Sequence, residues 1–167
     1  MQILQLCCRL NLWPDDFQVT SIDLNLGSDI NMIPIFYGTD FSFVCAAPPC
    51  VQFTRANVQN WLEYPIKEIL IAQKCFNICL NSRRYWFLEN PPGRIEKFIP
   101  ALKKYRTITW QSYLTKKEYV IYSNFLIMQL GHKRYSGKYS KNNQDKKVRE
   151  SWEPDLISDV IRSLNLI

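Results

Sequence analysis

The chain has 167 residues, 47% of them hydrophobic and 14% aromatic, which suits one domain with a sizeable core and excludes a disordered protein. No apolar run reaches the roughly 18 residues of a membrane span, and a single histidine, His132, excludes a histidine triad or a multi-histidine metal site. The net charge of +6 is uneven, with −2 over residues 1–93, +11 over 94–149 and −3 over 150–167, so a basic block that suits a polyanion sits in an otherwise acidic chain.

Taken in chain order, Ile3–Leu6 reads as a short strand. Its opening, Met1-Gln2-Ile3-Leu4, lacks the basic n-region and long apolar core of a signal peptide, so a reducing compartment is expected. Residues Arg9–Asp16 contain Pro14, Asp15 and Asp16 and read as a loop or at most a helical turn. Phe17–Ile22 is β-branched and alternating, a second strand that ends at Asp23. Gly27-Ser28-Asp29 and Asn31 mark another loop. Phe41–Ala46 is a continuous apolar run of the kind that a strand buried on both faces shows. Helical periodicity predicts a helix over Val58–Leu80, with Asn57 as its N-cap. Tyr85–Leu88 is the next buried strand, and Ile95–Leu102 a short helix. Arg106–Gln111 and Tyr119–Ser123 read as strands, and 133–147 as a basic loop. Pro154–Leu166 is a terminal helix with proline in its first turn.

Strands alternating with helices predict an α/β fold with a mostly parallel sheet in one domain. The link between the first two strands is near the minimum for a crossover, so the first βα unit is shortened. Cys45, Cys75 and Cys79 fall in apolar segments and read as core rather than as a disulfide framework or zinc site.

Two motifs carry reactive side chains just past the buried strands: Ala47-Pro48-Pro49-Cys50 after Phe41–Ala46, and Glu89-Asn90-Pro91 after Tyr85–Leu88. In parallel sheets, ligands sit at the carboxyl ends of the strands. Cys50 has a competing reading as one more buried cysteine, Glu89 as a surface partner of Arg84 or Arg94, and Asp23 as an ordinary strand-end cap.

The Pro-Pro-Cys and Glu-Asn-Pro pair, in this order, resembles the DNA cytosine-5 methyltransferases, above all their compact phage and mobile-element forms. The resemblance covers most of the chain and implies a Rossmann-like methyltransferase sheet with no separate target-recognition domain. It implies that Cys50 is the nucleophile and Glu89 the acid that activates a flipped cytosine. It places Leu6, Asp23, Asp29 and Pro48 on S-adenosylmethionine. It places Thr54, Arg94, Gln111, Lys138 and Lys141 on DNA, in the cytoplasm or another reducing, DNA-containing compartment. No metal and no membrane are implied. The family's acidic and glycine-rich turn after the first strand is here Gln5-Leu6-Cys7-Cys8-Arg9, running on to Leu12 and Pro14, so the cofactor half is eroded while the catalytic half is intact. The competing reading is therefore a catalytically impaired homologue that binds nucleic acid. A third reading, an amino-group methyltransferase, rests on Asn90-Pro91-Pro92, but Gly93 stands where that motif needs an aromatic residue.

Overall fold

The computed structural model describes residues 1–8, 13–24, 27–111, 117–129 and 154–165. Six strands form one sheet: β1 (Gln2–Leu6), β2 (Gln18–Ile22), β3 (Phe43–Ala46), β4 (Tyr85–Asn90), β5 (Arg106–Gln111) and β6 (Glu118–Ser123), in the order β2-β1-β3-β4-β6-β5. Among the described residues, the helices are α1 (Ile66–Leu80), the single turn α2 (Ile95–Phe98) and α3 (Pro154–Leu164).

The sheet is mixed, which corrects the expected mostly parallel sheet of the Rossmann-like methyltransferase type. Strands β2, β1, β3 and β4 pair in parallel, but β6 runs antiparallel to both β4 and β5. Chain length supplies the reason. Only residues 112–117 lie between β5 and β6, far short of the dozen or more residues that a parallel crossover needs. Regular βα alternation is missing as well. The β1–β2 link holds no helix among its described residues, and 3₁₀ turns at Ile30–Met32 and Ile35–Asp40 occupy the β2–β3 link. Among the described residues, α1 is the one full α-helix that joins two parallel strands.

Alternation along the strands builds a core on each face. Leu4, Leu6, Val44, Ala46, Trp86 and Leu88 face one way, and Ala72, Cys75, Phe76 and Ile78 of α1 pack on them. Ile3, Phe43, Cys45, Phe87 and Ile121 face the other way, under Leu156, Ile157 and Val160 of α3. The indole of Trp110 fixes α3 to the sheet by donating to the buried carboxylate of Asp159 at 2.8 Å.

Two helix boundaries differ from the periodicity. The helix begins at Ile66 rather than Val58, because Pro65 removes a donor and disfavours helical backbone at Tyr64. Residues Arg55–Asn60 form a separate 3₁₀ segment capped by Thr54, not Asn57. The helix expected over 95–102 divides at Pro100 into α2 and a 3₁₀ segment, Pro100–Tyr105.

Candidate functional site

Because β2, β1, β3 and β4 are parallel neighbours, their carboxyl ends share one edge. Asp23, Leu6, Pro48, Cys50 and Glu89 all fall at that edge, each at or just beyond the end of its strand.

Cys50 is half-buried after the Pro48-Pro49 pair, and its carbonyl accepts from the backbone N–H groups of Phe53 (2.8 Å) and Thr54 (2.9 Å). Glu89 lies in β4 and is 6% exposed. The two side chains feel each other. Burial raises the Cys50 thiol to about 11, the Glu89 carboxylate adds to that rise, and a backbone N–H and the Lys117 ammonium oppose it. The free protein therefore holds Cys50 as a thiol at neutral pH. Lys117, just before β6, is the residue that the motifs did not single out. Its only trace in the sequence is the Lys116-Lys117-Glu118 step into that strand.

This electrostatic link has a direct test. The rate at which iodoacetamide alkylates Cys50 should climb with pH toward a midpoint near 11, and Glu89→Gln should move that midpoint downward. The deprotonated form is the nucleophile, so the rate follows its population. A midpoint unchanged by Glu89→Gln would separate the two groups.

A clip holds the Cys50 segment against the Glu89 segment. Asn90 Nδ2 donates to the Pro48 carbonyl at 3.4 Å. The Arg55 N–H donates to the Pro92 carbonyl at 3.0 Å, and the Arg94 N–H to the Phe53 carbonyl at 2.9 Å. Thr54 and Gly93 form an isolated antiparallel bridge. Arg94 reinforces it from its side chain, with Nε donating to the Gln52 carbonyl at 2.9 Å and the guanidinium also reaching the Leu62 carbonyl. That guanidinium lies 4.5 Å from the Trp61 ring centroid and 5.0 Å from that of Phe98.

Gly93 is demanded by this close approach. A Cβ there would stand 1.5 Å from the Phe53 carbonyl oxygen, which is backbone and has no rotamer to escape into. Gly93→Ala should therefore cost roughly 1–3 kcal/mol, as overpacking does, and expose Cys50 to faster alkylation. Denaturant unfolding checks the first effect, and an undiminished stability would show that the two segments are not joined there.

The other expected site residues divide. Leu6 is fully buried, and its carbonyl accepts from the Ala47 N–H at 3.0 Å, while Pro48 is buried beside the clip. Asp23 is 7% exposed. Asp29 caps a 3₁₀ turn through Oδ1, which accepts from the backbone N–H and the side-chain amide of Asn31. Thr54 turns its hydroxyl to the Ala56 N–H at 3.3 Å, and its carbonyl accepts from the Trp61 indole at 3.0 Å. Arg94 is committed to the clip. Gln111 is exposed at the end of β5, and its carbonyl accepts from the Gln129 amide at 2.7 Å. Lys138 and Lys141, with the expected 133–147 loop, lie outside the described residues.

A groove of about 320 Å³, lined by Gln2, Gln18, Thr20, Asp40 and Phe41, lies toward the opposite, amino ends of β1, β2 and β3 and so away from Cys50. Among the described residues, no group of three His, Cys, Asp or Glu side chains could hold a metal ion, and no helix is long and apolar enough to cross a membrane. No family model matches the chain, and no curated protein matches it.

Proposed function

We propose that the chain is a DNA (cytosine-5-)-methyltransferase-like protein that attacks a flipped cytosine through Cys50. One observation carries this reading: Cys50 lies just beyond β3 and Glu89 near the carboxyl end of its parallel neighbour β4, and the Glu89 carboxylate adds to the rise that burial gives the Cys50 thiol. A thiol alone at a strand end has many uses. A thiol coupled to a largely buried carboxylate suits addition to a pyrimidine ring.

The chemistry follows from the pair. The Cys50 sulfur bonds to ring carbon 6, and the negative charge that enters the ring is met by a proton or hydrogen bond at ring nitrogen 3. Addition thus moves one proton, in net, from thiol to base. Glu89, whose charge reaches Cys50, is the group to carry it, and its carboxylate also accepts from the exocyclic amine. Lys117 favours the thiolate and lowers the cost of the first step. The rigid Pro48-Pro49 pair and the Arg94 clip hold the sulfur in place, which saves the entropy of orienting it.

The methyl donor implied is S-adenosylmethionine, which when bound supplies the methyl group to carbon 5. Two carboxylates suit its nucleoside half, with its ribose hydroxyls and adenine amine: Asp23 at the carboxyl edge, and Asp29, which caps the 3₁₀ turn in the β2–β3 link. The methionine half has no glycine turn. Cys7 occupies the left-handed backbone after β1 at φ 57, and Cys8 is buried in the core. We therefore expect weak cofactor affinity, in the high micromolar range or about −5 to −6 kcal/mol. Incubation with methyl-labelled cofactor and duplex DNA should place label on carbon 5 of cytosine. The same left-handed Cys7 turn favours the second reading, a catalytically impaired homologue that binds nucleic acid. Duplex binding with neither cofactor binding nor label would establish it in place of the first.

A further inference from the structure

We propose that Cys7 and Cys75 form a reversible disulfide that pins the carboxyl end of β1 to α1. Their sulfurs are 3.7 Å apart across 68 positions of sequence, so oxidation has to draw them together to the bonded distance of about 2.05 Å. The backbone at Cys7 is left-handed, at φ 57, a conformation that is uncommon for a residue with a β-carbon. Its N–H is anchored on the Ile22 carbonyl at 2.8 Å, which holds the turn in place.

The pairing is selective. Cys75 is fully buried on the α1 face of the sheet, and Cys7 is half-buried against that face. Cys8 and Cys45 belong to the core on the opposite face. Cys79 lies one helical turn from Cys75, with its sulfur 3.9 Å from the Phe87 carbonyl. A hydrogen bond with the Cys7 sulfur, then burial and the nearby Cys7 and Cys79 thiols, hold Cys75 as a thiol, whereas Cys7 has solvent access. Cys7 is therefore the first to react and Cys75 the resolving partner.

The oxidant is a low-molecular-weight disulfide. The Cys7 sulfur, losing its proton to solvent, attacks one sulfur of that disulfide and expels a thiolate. The Cys75 sulfur then loses its proton and attacks the Cys7 sulfur, expelling the second thiolate. Two protein thiols are oxidised and one small disulfide is reduced to two thiols. The site of the bond matters because Leu6, immediately before Cys7, accepts the Ala47 N–H at the start of the segment leading to Cys50. The inference does not depend on methyl transfer.

Treating the folded full chain with oxidised glutathione, then alkylating and digesting with trypsin, reads the outcome. The peptide Met1–Arg9 should be found linked to Cys75–Arg83, with fragment ions assigning the bond to Cys7 and Cys75. The link should persist in Cys8→Ser and Cys79→Ser and disappear with dithiothreitol. The thermal midpoint of the oxidised chain should rise by roughly 5–10 °C, since a long loop is closed in the unfolded state. A bond placed at Cys8 or Cys79, a Cys7–glutathione adduct that never resolves, or a link that forms only in denaturant would overturn the proposal. The fragment ions come from the wild-type chain, so the result does not depend on any variant folding.

Discussion

Under the proposed function, the wild-type chain should form a denaturation-resistant adduct with duplex DNA carrying 5-fluorocytosine in the presence of S-adenosylmethionine, and Cys50→Ser should abolish it. In the normal reaction, loss of a proton from carbon 5 lets the thiol leave. Fluorine cannot leave in that way, so the sulfur–carbon 6 bond is trapped. Serine keeps the size of the side chain, but a hydroxyl is a far weaker nucleophile than a thiol and does not ionise near neutral pH. The surrounding clip works through the Cys50 carbonyl and through Phe53, Thr54, Gly93 and Arg94, so the substitution leaves it whole. Loss of the adduct with duplex binding retained is the expected result, read on a denaturing gel. An adduct that survives Cys50→Ser would remove this residue from the chemistry.

Glu89→Gln will lower turnover by roughly 10²-fold or more, the scale of losing an acid–base group, with duplex affinity close to that of the wild type. The amide is isosteric and can still hydrogen-bond ring nitrogen 3, but it has no acidic proton to transfer there. The same change removes a negative charge that raises the Cys50 thiol, so ionisation becomes easier while ring activation is lost. These effects have opposite signs and appear in different measurements. Alkylation of the free protein should quicken at a fixed pH as methyl transfer slows. A structural role for Glu89, as a partner within the fold, would alter stability and leave this opposition absent. Unchanged turnover would exclude Glu89 as the acid.

The strands were legible in the sequence to within a few residues, because the apolar runs Phe41–Ala46 and Tyr85–Leu88 are long enough to be buried on both faces and β-branching marks Phe17–Ile22; the strands themselves run Phe43–Ala46, Tyr85–Asn90 and Gln18–Ile22. The C-terminal helix was legible from its proline start and apolar stripe. The start of α1 is also marked in the sequence, by Pro65, but the apolar period runs through that proline and masks it. Strand direction was harder. The 112–117 connection excludes a parallel β5–β6 pair once its length is considered, but alternating elements elsewhere favoured a uniform sheet.

The residue pattern by itself settles what is local: which segments are buried, that a cysteine follows one buried strand, and that no glycine turn follows the first, whereas Glu89, expected just past its strand, lies inside β4. Periodicity, proline and residue type act over a few residues, so they are readable without knowing what lies across the sheet. The tertiary structure decided everything that joins distant segments. It set β6 antiparallel between β4 and β5, and brought the Glu89 charge and the Lys117 ammonium to bear on one thiol. It built Arg94, which the resemblance places on DNA, into an internal clip, because carbonyls of Gln52 and Leu62 and the rings of Trp61 and Phe98 lie around it. It also placed Cys7 beside Cys75, 68 positions apart. Electrostatic and hydrogen-bond energies depend on distance and burial, and both come into being only when the strands pair.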